Sequence, residues 1–97
     1  MTIKDKRNAI DMLDDEIVDL LIKRSMTARE ISLLKLSAGL PIADISRESE
    51  VIDRAKKNAR GVISDAVIEE IYKVILAESR RVQRAVQSEV SREGAIR

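Results

Sequence analysis

Two cationic side chains lie in this chain at positions where an amphipathic helix would bury apolar ones. In steps of seven through the first helical stretch, Arg24 falls in a row with Ile17 and Ile31, and Lys35 falls in the neighbouring row with Ala28. Burying a charge costs several kcal/mol unless another group pairs with it. At about 100° per residue, Arg24 and Lys35 point within roughly 20° of each other. The pattern therefore predicts an anion-binding site on one face of this helix.

Polar residues at helical spacing occur in two later segments. Asp44 and Glu48 are four residues apart with Arg47 between them, so all three side chains can approach one face. An isoleucine row near the C-terminus runs on into Ser79, and Gln83 follows one turn later. These five residues are the further candidates for a site that binds an anion.

Each candidate also has a simpler interpretation when it is taken alone. Arg24 could pair with a buried carboxylate or extend its head to solvent along its apolar stem. Asp44 could be only a helix N-cap, while Arg47 and Glu48 could be surface ions. Ser79 could bond back to its own helix. The argument for a site depends on the whole set.

The composition predicts a small helical protein and excludes several kinds of chemistry. Of the 97 residues, 36% are charged, and there are one proline, three glycines and a single aromatic residue, Tyr72. The absence of cysteine and histidine removes disulfides, thiolate nucleophiles, imidazole bases and the usual zinc sites. A net charge of +1 provides no general attraction to nucleic acid or to an anionic membrane. Because there is no signal-like apolar segment, we expect a cytoplasmic protein. We also expect that it needs no cofactor or metal.

The apolar spacing predicts an all-α fold with three helices, one long, one short and one long. The first runs from about residue 3 to residue 36 and ends before Gly39 and Pro41. The second begins near residue 44 or 46 and ends near residue 59, where Gly61 follows. The third begins after Ser64 as its N-cap and runs to about residue 90. The polar tail, residues 91–97, contains Gly94 and is expected to fray.

The length of the first helix predicts self-association. A helix of that length extends about 50 Å, whereas a compact chain of this size has a radius of gyration of about 13 Å. Its apolar face would project beyond its own chain and need a partner, most simply a second copy. We therefore expect an intertwined homodimer.

Four segments together resemble the all-helical chorismate mutases of the AroQ class. They read KRNAIDMLD at residues 6–14, LLIKR at 20–24, LPIADISRE at 40–48 and AESRRVQ at 77–83, with Lys35 between the second and third. The resemblance spans about residues 3–88, so a single mutase domain over residues 1–97, with nothing fused to it, is expected. The chain departs from the family pattern at positions that affect packing. Thr27 lies where the family usually has an aliphatic residue, and Ser32 where a small, glycine-like residue is common. The link around Gly61 is about one residue shorter than in some members.

The resemblance implies conversion of chorismate to prephenate by an intramolecular Claisen rearrangement, a step of phenylalanine and tyrosine biosynthesis that starts from a product of the shikimate pathway. The substrate is a dianion, and the reaction needs no proton transfer and no covalent intermediate. By the same resemblance, Arg24 and the partner subunit's Arg7 bind the two carboxylates, since the guanidinium fork suits planar anions. Lys35 and Gln83 are the catalytic donors to the ether oxygen, on which charge grows in the transition state.

The resemblance assigns the remaining roles at the edge of the site. Glu48 accepts a hydrogen bond from the ring hydroxyl, helped by backbone near Asp44, while Arg47 and Ser79 complete the polar rim. The two alternatives are an isochorismate pyruvate lyase of the same fold and a non-catalytic helical dimerisation module. The fuller match of the second helix and the Ser79–Gln83 pair favours the mutase.

Overall fold

The computed structural model describes residues 1–96, with side chains for residues 1–93, and contains three helices and no strands in that range. They are α1, Ile3–Ala38; α2, Ile45–Ala59; and α3, Asp65–Ile96. The predicted all-α fold with a long, a short and a long helix is confirmed.

Side-chain and glycine caps determine both ends of α1. Thr2 and Asp5 form a reciprocal capping box, in which each side chain accepts a hydrogen bond from the other residue's backbone N–H. At the other end Gly39 adopts a left-handed conformation, with φ of 68°. Its N–H donates to Leu36 at 3.3 Å, and the N–H of the following residue donates to the Lys35 carbonyl at 2.9 Å. This pair of hydrogen bonds forms a Schellman cap, and α1 ends two residues later than predicted.

Ser64 caps α3 as predicted, and Asp44, one of the two predicted positions, caps α2. The Asp44 carboxylate accepts the Arg47 N–H at 3.0 Å, and the Ser64 hydroxyl accepts the Val67 N–H at 3.4 Å. The C-terminal end of α2 is formed by Arg60, which has φ of 53°, and is followed by Gly61.

The predicted end of the third helix near residue 90 is wrong, since α3 continues to Ile96. Arg92 and Glu93 are good helix formers, and the single Gly94 costs only about 1 kcal/mol in a helix interior. Residues 91–96 are thus helical, Arg97 lies outside the described residues, and fraying of residues 91–97 stays a prediction.

Helix α3 packs against both α1 and α2, whereas α1 and α2 do not pack on each other within residues 1–96. Few apolar residues are buried among those described: Ala28, Ala55, Ile68, Leu76 and Val86. The fully buried Ser32 hydroxyl of α1 donates to the Gln83 carbonyl of α3 at 2.8 Å. This hydrogen bond fixes the axial position of α1 relative to α3. Lys35 lies about one helical turn after Ser32, so the bond also positions Lys35 relative to α3.

The first half of α1 projects away from the rest of the chain. Every residue from 1 to 23 is exposed, including the aliphatic residues of the predicted apolar face; Ile10, Leu13 and Ile17 are 56%, 56% and 54% exposed. The chain measures 62 × 28 × 15 Å and has a radius of gyration of 17.4 Å, well above the value of about 13 Å for a compact chain of this length. No helix among the described residues is both long enough and apolar enough to cross a membrane.

Candidate active site

All three helices contribute to the wall of an open cavity of about 430 Å³, a size that suits a small-molecule ligand. Its walls come from the second half of α1, the start of α2 with the loop before it, and the middle of α3. Seven of the eight predicted site residues line it: Arg24, Lys35, Asp44, Arg47, Glu48, Ser79 and Gln83. The apolar part of the wall includes Ile31, Val51 and Leu76.

Arg24 is half-buried and lines the cavity. It forms no salt bridge with a carboxylate in the part of the chain that the structure describes. It also lines an adjacent recess beside Glu78, whose carboxylate is engaged by Arg81 Nε at 3.0 and 2.9 Å. That hydrogen bond from Arg81 lowers the pKa of Glu78, so Glu78 stays ionised and paired with Arg81. The guanidinium of Arg24 is left available for an anion in the cavity.

Lys35 is held at the C-terminal end of α1 by the turn that follows it. Its Nζ donates to the Ile42 carbonyl at 2.7 Å, and its own carbonyl accepts the bond of the helix cap. An ammonium group has three donors, so this bond leaves two N–H directions for a ligand. The loop carbonyl restricts the Lys35 head group and reduces the entropy lost when a ligand binds.

Gln83 is the most deeply buried polar side chain of the cavity wall, at 6% exposure. Within residues 1–93, its Nε2 makes only a long, 3.4 Å hydrogen bond to Ser79 Oγ, and its buried Oε1 has no hydrogen-bond partner. A buried polar group without good partners is expensive, and such groups are concentrated at binding sites. The Gln83 amide therefore has hydrogen-bonding capacity for a group that enters the cavity.

The first turn of α2 supplies the rim. Asp44 caps the helix, and Arg47 forms an exposed ion pair with Glu50 at 3.5 Å. These are the N-cap and surface-ion roles that the sequence suggested for them, and both residues also line the cavity. Glu48 is half-buried, and Arg80 from the middle of α3 donates to its Oε1.

Arg80 lines the same cavity and was not singled out in the sequence analysis. Its position relative to Leu76 and Gln83, four residues after the one and three before the other, places it on the cavity face of α3. That helical spacing was the signal that could have identified it.

Arg7 is the one predicted residue that the structure does not bring to the cavity. It lies seventeen residues before Arg24 on the same straight helix, about 25 Å away at 1.5 Å per residue. It borders a shallow recess at the exposed N-terminal end of α1 instead. Arg7 therefore cannot serve the cavity of its own chain.

The charges of the cavity define the class of ligand. Four cationic residues and two carboxylates line it, so the wall has an excess of two positive charges. Donors that are charged or aimed inward, on a partly apolar wall, suit a small organic dianion. The chain itself contains no cysteine or histidine for nucleophilic or imidazole catalysis. Over the described residues, the fold and site thus define an all-helical protein with a cavity whose charge suits a small dianion.

The chain belongs to the family described as chorismate mutase type II, whose model matches residues 6–84. It is 28% identical over 79 residues to the chorismate mutase of Methanocaldococcus jannaschii, a match that covers 80% of each chain. The family match and this relative support chorismate mutase activity, an isomerase reaction of aromatic amino acid biosynthesis.

Other relatives are longer proteins. The bifunctional chorismate mutase/prephenate dehydratase of Aquifex aeolicus is 29% identical over 89 residues, which is 88% of this chain and 25% of that protein. A 49-residue stretch, 50% of this chain, is 45% identical to part of the 3-dehydroquinate dehydratase of Pyrobaculum aerophilum, and covers 16% of that protein. The chain thus spans about a quarter of the bifunctional relative. No solved structure matches the chain significantly.

Proposed function

We propose that this chain catalyses the rearrangement of chorismate to prephenate by binding the dianion in a compact, chair-like geometry. The observation that carries the proposal is the convergence of Arg24, Lys35 and Gln83 on one cavity, each with donor capacity that residues 1–93 do not use. In this reaction the ether C–O bond breaks as a C–C bond forms, so the protein has only to position the substrate and to stabilise charge on the ether oxygen.

Each cavity residue has a role that its surroundings support. Arg24 binds a carboxylate through its guanidinium fork. Lys35 and Gln83 donate to the ether oxygen: the first is a cation restrained by the Ile42 carbonyl, and the second is a buried amide that donates without depending on pH. A millionfold acceleration corresponds to about 8 kcal/mol, which positioning and two such donors can supply together.

The rim residues complete the proposal. Glu48 accepts a hydrogen bond from the ring hydroxyl, and backbone near Asp44 assists it. Arg47 and Ser79 form the polar edge, with Ser79 also within 3.4 Å of the Gln83 amide.

The active form is proposed to be an intertwined homodimer in which Arg7 of each chain completes the partner's site. Two observations support this: the aliphatic face of α1 over residues 3–22 is exposed in the single chain, and Arg7 is too far along the helix to reach its own cavity. Two equivalent sites per dimer follow. The cytoplasmic location expected from the sequence stays a prediction.

Incubation of the purified protein with chorismate, with product identified by chromatography, tests the activity. Prephenate is the expected product. Isochorismate run in parallel distinguishes the lyase alternative, which would release pyruvate. Turnover of neither compound would contradict both enzymatic proposals and leave the helical dimerisation module as the interpretation. For that module, replacing Arg24 and Lys35 with leucine would stabilise the fold, since apolar residues often replace inward charges favourably.

A further inference from the structure

We propose that Arg80 is a positioning residue that holds the Glu48 carboxylate and compensates its charge, so that a site for a dianion can contain an acidic acceptor. This inference rests on the proposed function, because it concerns the hydroxyl-bearing dianion that the cavity would take. The residue touches Glu48 rather than the reacting atoms, so it acts through that carboxylate.

The geometry links two helices across the cavity wall. Arg80 Nη1 of α3 donates to Glu48 Oε1 of α2, with side chains that are 30% and 27% exposed, and both residues line the cavity. Within residues 1–93, Glu48 Oε2 has no protein partner in the hydrogen-bond network, so one oxygen is held and the other remains free to accept. A carboxylate held at one oxygen is an oriented acceptor for a substrate hydroxyl.

Charge explains why a partner is needed at this position. A half-buried carboxylate next to a bound dianion repels it, and the repulsion is strong where water screens poorly. Arg80 neutralises that repulsion locally, while Arg24 and Lys35 remain available for the ligand. A neutral acceptor at position 48 would not need Arg80. This difference separates the proposal from a salt bridge that merely joins the helices.

The chain offers a matched control pair. Lys56 and Glu69 form a second ion pair between α2 and α3, at 3.8 Å, outside the cavity and comparably exposed, with side chains 27% and 43% accessible. Lys56→Met removes a cation that joins the same two helices without touching the site.

The test is a double-mutant cycle of Arg80→Met and Glu48→Gln, with Arg80→Lys as the conservative variant and Lys56→Met as the control. For each protein, kcat and KM for chorismate and the melting temperature are measured. Arg80→Met is expected to raise KM by about tenfold, with a smaller effect on kcat, because the repulsion acts already on the bound substrate. Adding Glu48→Gln should lower KM again, below that of Arg80→Met alone, because the amide accepts without a charge. Arg80→Lys should retain most of the affinity.

Other outcomes overturn the inference. Additive effects in the cycle, or a KM for Arg80→Met as little changed as that for Lys56→Met, would mean that Arg80 only joins the helices. If Arg80→Met does not fold, the KM of Arg80→Lys is compared with that of the Arg80→Met, Glu48→Gln double variant. The double variant has no unpaired carboxylate, so this comparison still tests the inference. An inactive wild-type protein would contradict the proposed function instead, before any variant is compared.

Discussion

At the scale of single residues, Gln83 has the most restrictive surroundings of the cavity wall. It is almost fully buried, its backbone carbonyl accepts a hydrogen bond from the Ser32 hydroxyl, and its side-chain Nε2 makes one long hydrogen bond to Ser79. A neutral amide in this position can donate at any pH, whereas a carboxyl group can donate only when it is protonated.

Gln83→Glu is therefore expected to make activity depend strongly on pH. At neutral pH the introduced carboxylate would repel the charge that develops on the ether oxygen, and protonation at lower pH would restore a donor. The kcat/KM of the variant relative to wild type should rise as pH falls, when both proteins are assayed in the same buffers. A ratio that does not change with pH would contradict the assigned role of Gln83.

Lys35→Ala is expected to lower kcat by about 10²–10³-fold, the usual loss when one preorganised donor to a developing oxyanion is removed. The effect on KM should be smaller, because the charge that Lys35 meets grows in the transition state. Lys23→Ala, an exposed lysine on the same helix, is the control and should retain wild-type kinetics. Equal losses in kcat for both variants, or none for Lys35→Ala, would refute the assignment.

At the scale of elements, the end of α1 matters because it carries Lys35. Gly39 turns the chain with φ of 68°, and the same turn supplies the Ile42 carbonyl that holds Lys35 Nζ. A Cβ at Gly39 would have nothing within 4 Å, so the cost of a side chain there comes from the backbone conformation alone.

Gly39→Ala should consequently destabilise the fold by about 1–2 kcal/mol, the cost of a left-handed conformation for a residue with Cβ. Urea denaturation at one fixed protein concentration measures this, since the stability of a dimer would depend on concentration. Ser37→Ala, two residues earlier on the exposed helix surface, should change stability by less than about 0.5 kcal/mol. A Gly39→Ala protein as stable as wild type would mean that the cap is not strained by a side chain.

At the scale of the whole molecule, the elongated shape of the chain keeps Arg7 far from its own cavity. If Arg7 is to contribute to the proposed dianion site, it has to come from a second chain, and the exposed face of α1 offers a surface on which that chain can pack. The dimer would then be part of the catalytic unit and not only a source of stability.

Mixing two inactive variants tests this arrangement. Arg7→Ala and Arg24→Ala should each be inactive alone, and subunit exchange should restore activity, because a mixed dimer contains one site with both arginines. With random pairing, about a quarter of the sites would be intact. Each variant taken separately through the same exchange procedure is the control. No recovery, with exchange verified by mass-labelled subunits, would contradict a shared site.

Local signals in the sequence determined most of the secondary structure. Thr2, Asp44 and Ser64 cap helices through bonds that span three residues, and Gly39 supplies a conformation that other residues avoid, so these ends were predictable. The end of α3 was not, because the polar tail contains no residue that forces a helix to stop. The inward placement of Arg24 and Lys35 followed from helical periodicity alone.

Only the tertiary structure decided which polar groups meet. Arg80 and Glu48 are 32 residues apart, and Ser32 and Gln83 are 51 apart, so no spacing rule within one helix relates them. Their pairing depends on how α3 lies against α1 and α2, and that arrangement is set by the packing of a few buried aliphatic residues and by the hydrogen bond of Ser32. Periodicity places a side chain on a face of its helix, whereas the partner of that side chain is determined by which other helix packs there.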